Sequence, residues 1–175
     1  MTGAHEFSRT FDLRGITAQP VTLEANAQEL AALAGRFGLV TIGSLAATLS
    51  LEAEGEEVSA KGTMSADFVQ SCAVSGDDLP MSINEEITLR FVPAATLEAS
   101  EEDEEIELEE DELDEMGYEG TSFDLGEAVA QSLALAIDPY AVGPRAEAAR
   151  DHHGLAEEGI RDGPLADALR GLKGS

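Results

Sequence analysis

Residues 39–69 read LVTIGSLAATLSLEAEGEEVSAKGTMSADFV, with apolar and polar side chains alternating on both sides of a Glu54-Gly55 turn signal. A period of two predicts strands, and a glycine turn between two such runs predicts an antiparallel hairpin. We therefore expect one long strand that shifts phase around Gly43 and a second strand over 57–69.

A third strand is predicted further along the chain, from about Met81 to Val92, after the turn signal at 75–78. Its apolar positions recur in alternation, and the inward candidates are Ile83, Ile87, Leu89 and Phe91. Consecutive strands joined by short turns form an antiparallel meander. Near the N-terminus, residues 6–16 resemble a further strand of imperfect alternation.

Two helices flank the predicted strands. Asn26 and Glu29 form a capping box, so we expect a helix over Ala27–Arg36 that ends at a glycine. Asp124 begins a second, late helix before Pro139. Its apolar stripe, at steps of four, comprises Leu125, Val129, Leu133 and Ile137.

This order of elements predicts the α+β class, an antiparallel β-meander with both helices packed on one face. We expect a single domain over 1–140 with a flexible acidic insertion over 101–121. Residues 141–175 are predicted to form a flexible tail. Within the tail, 164–173 form a short amphipathic segment that either docks back onto the domain or folds on a partner.

Residues 101–119 hold thirteen Asp or Glu and no Lys or Arg, which is half of the formal net charge of −26. Such a run cannot bury enough apolar surface to offset its ordering entropy, and its charge attracts strongly basic partners. Two plainer interpretations stay open. The run could be a linker that only keeps the protein soluble, or part of a halophile-like acidic surface.

The composition also argues against tight binding to nucleic acid. Docking on phosphates requires several clustered Lys or Arg, whereas the ten Lys and Arg of this chain are scattered along the sequence. We therefore expect direct nucleic-acid binding to be weak or indirect. The alternative is that the protein is an RNA-processing factor that contacts RNA through a local cluster of basic residues. Its candidate contacts are Arg90, Arg145, Arg150 and Arg161.

Catalytic chemistry has little support in the sequence. Cys72 is the single cysteine, and no basic residue lies within seven positions of it, so we expect a structural thiol of raised pKa. The adjacent pair His152 and His153 points in two directions on a helix and does not predict a metal site. Phosphate-binding glycine loops and nucleophile elbows are missing from the sequence. We predict no enzyme, no cofactor, and no catalytic or metal residues.

Localisation is predicted from two further features. The chain has no apolar run near twenty residues, and its N-terminus has neither a basic nor an apolar leader region. We expect a cytoplasmic protein with no membrane partner.

Three segments together resemble the YceD-like family of large ribosomal RNA subunit accumulation proteins. Residues 70–75, QSCAVS, lie where that family often has C-x-x-C. An acidic region then precedes residues 123–127, FDLGE, which look like the start of the family's late helix, and this helix runs through 133–139, LALAIDP, similar to the family's pattern. Residues 164–173, PLADALRGLK, resemble the family's closing segment. The chain departs from the pattern at Ser75, Val74 and Asp138, which stand for a cysteine, an arginine and a proline. Any role of paired cysteines is therefore doubtful here.

The resemblance implies a non-enzymatic accessory factor that supports the accumulation of large-subunit ribosomal RNA. On physical grounds we add a mechanism, in which the acidic run holds a basic ribosomal protein or an assembly intermediate of the large subunit. The predicted partner-binding residues belong to the acidic run and to the apolar face of the tail segment. They are Glu101, Glu102, Asp103, Glu104, Glu105, Glu107, Glu109, Glu110, Asp111, Glu112, Asp114, Glu115, Leu165, Leu169 and Leu172.

Overall fold

The computed structural model of the chain describes residues 6–97 and 114–153. It divides into two compact units. The first comprises Met1–Gln70 and Pro80–Asp138, and the second comprises Ser71–Leu79 and Pro139–Ser175. Of the described residues, the first unit contains nearly all of those in the sheets.

Within the described residues, seven strands form two sheets. Their bounds are β1 Thr10–Asp12, β2 Val21–Glu24, β3 Thr41–Glu54, β4 Glu57–Ser71, β5 Asp78–Pro93, β6 Asp114–Tyr118 and β7 Ser122–Asp124. The main sheet has the order β2-β3-β4-β5-β6, and β1 pairs with β7 separately. β3 is antiparallel to β2 and β4, with the predicted irregularity between Ile42 and Ser44. The meander and the α+β class are confirmed.

β6 pairs parallel to β5, with Leu89 opposite Asp114 and Pro93 opposite Tyr118. Neither β6 nor β7 was predicted, because their residues were assigned to the acidic insertion or to the start of the late helix. The predicted strand over 6–16 is also shorter than expected. It consists of β1 followed by a 3-10 turn at Leu13–Gly15.

Helix α1 spans Ala27–Phe37 and begins with the predicted capping box. The Asn26 side chain accepts from the N–H groups of Gln28 and Glu29, and Glu29 accepts from the N–H of Asn26. Gly38 ends the helix at a φ of 66°, a left-handed conformation that glycine adopts without strain. Local sequence therefore determines both ends of this helix.

Helix α2 spans Leu125–Ala136, and the carboxylate of Asp124 caps it by accepting from the N–H of Glu127 at 3.1 Å. Leu125, Val129 and Leu133 are fully buried, which confirms three members of the predicted apolar stripe. The fourth, Ile137, follows the end of the helix and is partly buried. A further helix, α3, covers Ala146–His153 in the second unit. It was not predicted, since the sequence there shows little periodicity. Residues 94–97 are also helical.

The core of the first unit lies on one face of the main sheet. The inward residues of β3 and β4 join buried residues of α1 and α2 in a single cluster. They include Leu45, Ala47, Leu49, Met64, Ala66, Phe68, Leu33 and Val129. The alternate residues of β3 and β4, such as Thr48 and Thr63, are exposed. The helices therefore pack on one face of β3 and β4, and within the described part of the chain most residues of the opposite face of these two strands are exposed.

Candidate functional site

The β3–β4 hairpin brings several glutamates to one end of the main sheet. Glu54 and Glu57 are paired across the hairpin, and Gly55 follows Glu54 at a φ of 66°. Glycine at the first central position meets the positive φ of a two-residue hairpin turn. Glu52, Glu54 and Glu56 are exposed, so the tight turn concentrates negative charge at the hairpin tip.

Arg90 of β5 connects this hairpin to β6. Its guanidinium lies 2.6 Å from a carboxylate oxygen of Glu57 and 2.7 Å from one of Glu115. The hydrogen bond and charge of Glu57, and then those of Glu115, raise the pKa of Arg90. The Arg90 guanidinium is therefore paired with two carboxylates, and these ion pairs link strands β4, β5 and β6.

Tyr118 provides a second connection between β6 and the hairpin. Its hydroxyl donates to the backbone carbonyl of Glu56 at 2.6 Å, and the side chain is buried. Burial, and then the negative charge of Glu56, raise the pKa of Tyr118. Strand β6, at the end of the acidic run, is therefore connected to the hairpin by the Tyr118 hydrogen bond and, through Arg90, by the ion pairs of Glu115 and Glu57.

We name the resulting surface the acidic end. It comprises Glu52, Glu54, Glu56, Glu57, Glu115 and Glu119, with Lys61 and Arg90 as its cations. A groove of about 560 Å³ lies among the hairpin residues, Lys61 and Arg90. Carboxylates outnumber cations three to one, so the acidic end carries a net negative charge. The hairpin glutamates were not predicted as site residues, although the EAEGEE sequence at 52–57 was a visible signal.

Only some of the acidic residues predicted to bind a partner belong to the described residues. Glu115 lies at the acidic end, paired with Arg90, and Asp114 is the first residue of β6. Residues 101–112 and the tail residues Leu165, Leu169 and Leu172 lie outside the described residues.

Four of the described basic side chains are held by carboxylates. Arg9 pairs with Glu29, Arg36 with Glu127 and Glu6, Arg90 with Glu57 and Glu115, and Arg145 with Asp77. The candidate RNA contacts Arg90 and Arg145 are thus neutralised locally. Arg150 lies in α3 and Arg161 is outside the described residues. The arginines predicted for the basic spot therefore include two that are already paired.

The exposed face of β3 and β4 also argues against direct RNA binding. RNA-binding sheets stack unpaired bases on exposed aromatic side chains. The exposed residues of β3 and β4 include no aromatic side chain and are mainly small, hydroxylic or acidic. Ser44 and Ser82, for example, both donate to the carboxylate of Asp67. This face offers a polar surface without stacking platforms.

Cys72 lies in the second unit, at the turn between β4 and β5, and is buried. Its sulfur accepts from the backbone N–H groups of Ser75 and Gly143, each at 3.3 Å. The Ser75 side chain, and then the N–H groups of Ser75, Gly143 and Val74, lower the pKa of the thiol to about 6. The expected rise in pKa was wrong, because the Ser75 side chain and then the backbone N–H donors at the sulfur favour the thiolate, which the acidic sequence around Cys72 did not indicate.

The described residues also bear on metal binding and on membrane insertion. They contain no group of three or more His, Cys, Asp or Glu side chains that could hold a metal ion. None of their helices is long and apolar enough to cross a membrane.

Comparison with known proteins gives one match. The model of the YceD family, described as large ribosomal RNA subunit accumulation protein, matches residues 60–167. The match covers most of β4, strands β5 to β7 and helices α2 and α3, and it extends into the tail. No curated protein and no solved structure matches the chain.

Proposed function

The chain belongs to the YceD family, and from that premise we propose that it is a non-enzymatic accessory factor of large ribosomal subunit biogenesis. In this proposal it supports the accumulation of large-subunit ribosomal RNA in the cytoplasm. It does so by holding a basic ribosomal protein, or an assembly intermediate, until that component is transferred to RNA.

The acidic end is the observation that supports this mechanism best. It lies where β6 begins, so the acidic run joins the sheet beside a second, structured set of carboxylates. Ribosomal RNA carries a higher charge density than either and competes for the same Lys and Arg side chains. A partner held by many weak contacts is therefore released as RNA becomes available.

Direct RNA contact is the less favoured mechanism. Of the four arginines predicted for it, Arg90 and Arg145 are bound to carboxylates. The exposed residues of β3 and β4 carry no aromatic side chain. RNA binding through Arg90 or Arg145 would first have to break these ion pairs.

The test must leave the fold intact. Deleting 101–119 would also remove β6 and its pair with Arg90. We would instead replace the ten acidic residues of 101–112 by their amides. The matched control is a scrambled 101–112 segment, which keeps the same charge and composition.

Each protein is used as bait in cell lysate at two salt concentrations, with bound proteins and RNA identified by mass spectrometry and sequencing. We expect basic large-subunit proteins with the intact and scrambled chains, and their loss with the amide variant and at high salt. Ribosomal RNA retained by the amide variant, without those proteins, would overturn the holding mechanism and favour RNA contact by the folded part.

A further inference from the structure

The groove at the acidic end contains charges of both signs, and only some of them are compensated. Its volume is about 560 Å³, and its lining residues belong to β3, β4 and β5. Glu57 and Arg90 line it and are paired with each other. Glu52, Glu54 and Lys61 also line it and are exposed. None of these three side chains takes part in an ion pair among the described residues, so they leave the groove with uncompensated charge.

The register of the hairpin sets the order of these charges along the groove. Glu54 is the last residue of β3 before the turn, and Glu52 lies two residues further from the turn on the same strand. Lys61 lies opposite Ser50, which is two residues further again. Residues two apart on a strand point to the same face and are about 6.6 Å apart. The groove therefore presents a carboxylate, a second carboxylate and an ammonium group at successive steps of that length.

An extended peptide repeats its side chains with the same period. Alternate residues of an extended segment point to one side, and they too are about 6.6 Å apart. A segment that lies along the groove therefore places two alternate side chains near Glu54 and Glu52, and the next alternate side chain near Lys61. Basic residues suit the first two positions. A basic residue at the third position meets like charge, whereas an acidic residue there forms an ion pair.

We propose that Lys61 is a specificity-determining residue, which selects a partner segment of the pattern basic-x-basic-x-acidic and fixes its position along the groove. This inference rests on the proposed function, because it names the kind of segment that the acidic end holds. Net negative charge attracts every basic segment, so it provides affinity without register. One cation beside the carboxylates provides the repulsion that makes the order of charges matter.

Two synthetic peptides of identical composition test the order of charges on the full chain. The first is Ser-Lys-Ser-Lys-Ser-Glu-Ser and the second is Ser-Lys-Ser-Glu-Ser-Lys-Ser, both with blocked ends, so their net charges are equal. The second peptide brings its glutamate to Glu52 and its last lysine to Lys61. Exposed ion pairs each contribute little, so we expect the first peptide to bind about three- to tenfold more tightly at low salt in an NMR titration. The chemical-shift changes should centre on residues 52–61.

A charge reversal tests the role of Lys61 directly. In Lys61→Glu all three positions are acidic, so each peptide makes two attractive contacts and one repulsive contact. The ratio of the two affinities should therefore fall to about one. The matched control is Arg14→Glu, which makes the same change of charge at an exposed cation outside the groove and should leave the ratio unchanged.

The outcomes separate this inference from the proposed function. Equal affinity of the natural protein for the two peptides, or an unchanged ratio in Lys61→Glu, would overturn the selectivity of Lys61 while leaving charge-based holding intact. Failure of both peptides to bind at low salt would overturn holding by the acidic end itself.

Discussion

Arg90 and Glu115 occupy opposed positions of the parallel β5–β6 register and form an ion pair of 2.7 Å. The same guanidinium holds Glu57 of β4 at 2.6 Å. One cation therefore joins three strands at the acidic end, where the acidic run leads into the sheet. This geometry makes Arg90 a structural residue of the acidic surface.

Replacing Arg90 tests that role. In Arg90→Gln, Glu57 faces Glu54 without compensation, and β6 loses one of its connections to β4. Both ion pairs are partly exposed, so we expect the free energy of unfolding to fall by only about 1 kcal/mol at low salt. Urea unfolding measures it. Lys61→Gln is the control, since Lys61 is an exposed cation of the same surface, and an equal loss in both variants would contradict the structural role of Arg90.

Gly126 allows α2 to approach the chain near the N-terminus. A Cβ at this position would lie 2.6 Å from the carbonyl oxygen of Phe7 and 2.7 Å from the nitrogen of Arg9. Both atoms belong to the backbone, so Gly126→Ala must displace the segment or the helix. We expect a loss of about 3 kcal/mol in thermal or urea unfolding.

Gly35 provides the comparison. It lies within α1, and a Cβ there would meet nothing within 4 Å. Gly35→Ala should therefore stabilise the protein by about 0.5–1 kcal/mol through helix propensity. If the two alanine variants lost stability equally, close packing at Gly126 would not be the cause.

The Cys72 thiol predicts a specific pH dependence. Its pKa is lowered to about 6 from a reference of 9.0, so the unfolded chain binds the proton more tightly than the folded chain. This stabilisation is complete above pH 9 and is lost as the pH falls through 6. Urea midpoints should therefore rise more steeply between pH 6 and 9 in the natural protein than in Cys72→Ala.

The Ser75→Ala variant distinguishes the effect of the Ser75 hydroxyl on the Cys72 pKa from that of the backbone N–H donors. It removes the largest contribution to the lowered pKa but keeps the N–H groups of Ser75 and Gly143. Its slope between pH 6 and 9 should be intermediate. Identical slopes in all three proteins would show that the folded chain does not favour the thiolate.

Local patterns predicted the parts of the fold that depend on neighbouring residues. The Asn26 capping box, the strand alternation and the stripe at Leu125, Val129 and Leu133 each involve contacts a few residues apart or a simple period. The late-helix cap at Asp124 is equally local. Such features can be predicted from a single sequence, because they depend on residues a few positions apart or on the regular period of a helix or strand.

Contacts between distant segments were not predictable in the same way. The parallel register of β6 depends on β5 residues about 25 positions earlier, and its own sequence reads as part of an acidic run. Cys72 receives a hydrogen bond from Gly143, 71 residues away. The acidic end likewise depends on Arg90, which the sequence indicated only as a candidate RNA contact, because its carboxylate partners Glu57 and Glu115 are distant in sequence.

Salt should act oppositely on the stability of the free protein and on its affinity for a basic partner. At a net charge of −26, carboxylate repulsion opposes folding, and salt screens it with a Debye length of about 10 Å at 0.1 M. Raising salt from about 0.02 to 0.5 M should stabilise the free protein by on the order of 1 kcal/mol. The same change should weaken binding of a basic peptide, measured in parallel.

The amide variant of 101–112 is the matched control for both measurements. With ten fewer charges it should gain less stability from salt and bind the peptide less tightly at low salt. A halophile-like acidic surface would behave differently, since the free protein would require molar salt to fold. A protein already folded at 0.02 M, with binding that decreases as salt rises, supports an acidic surface that serves partner binding.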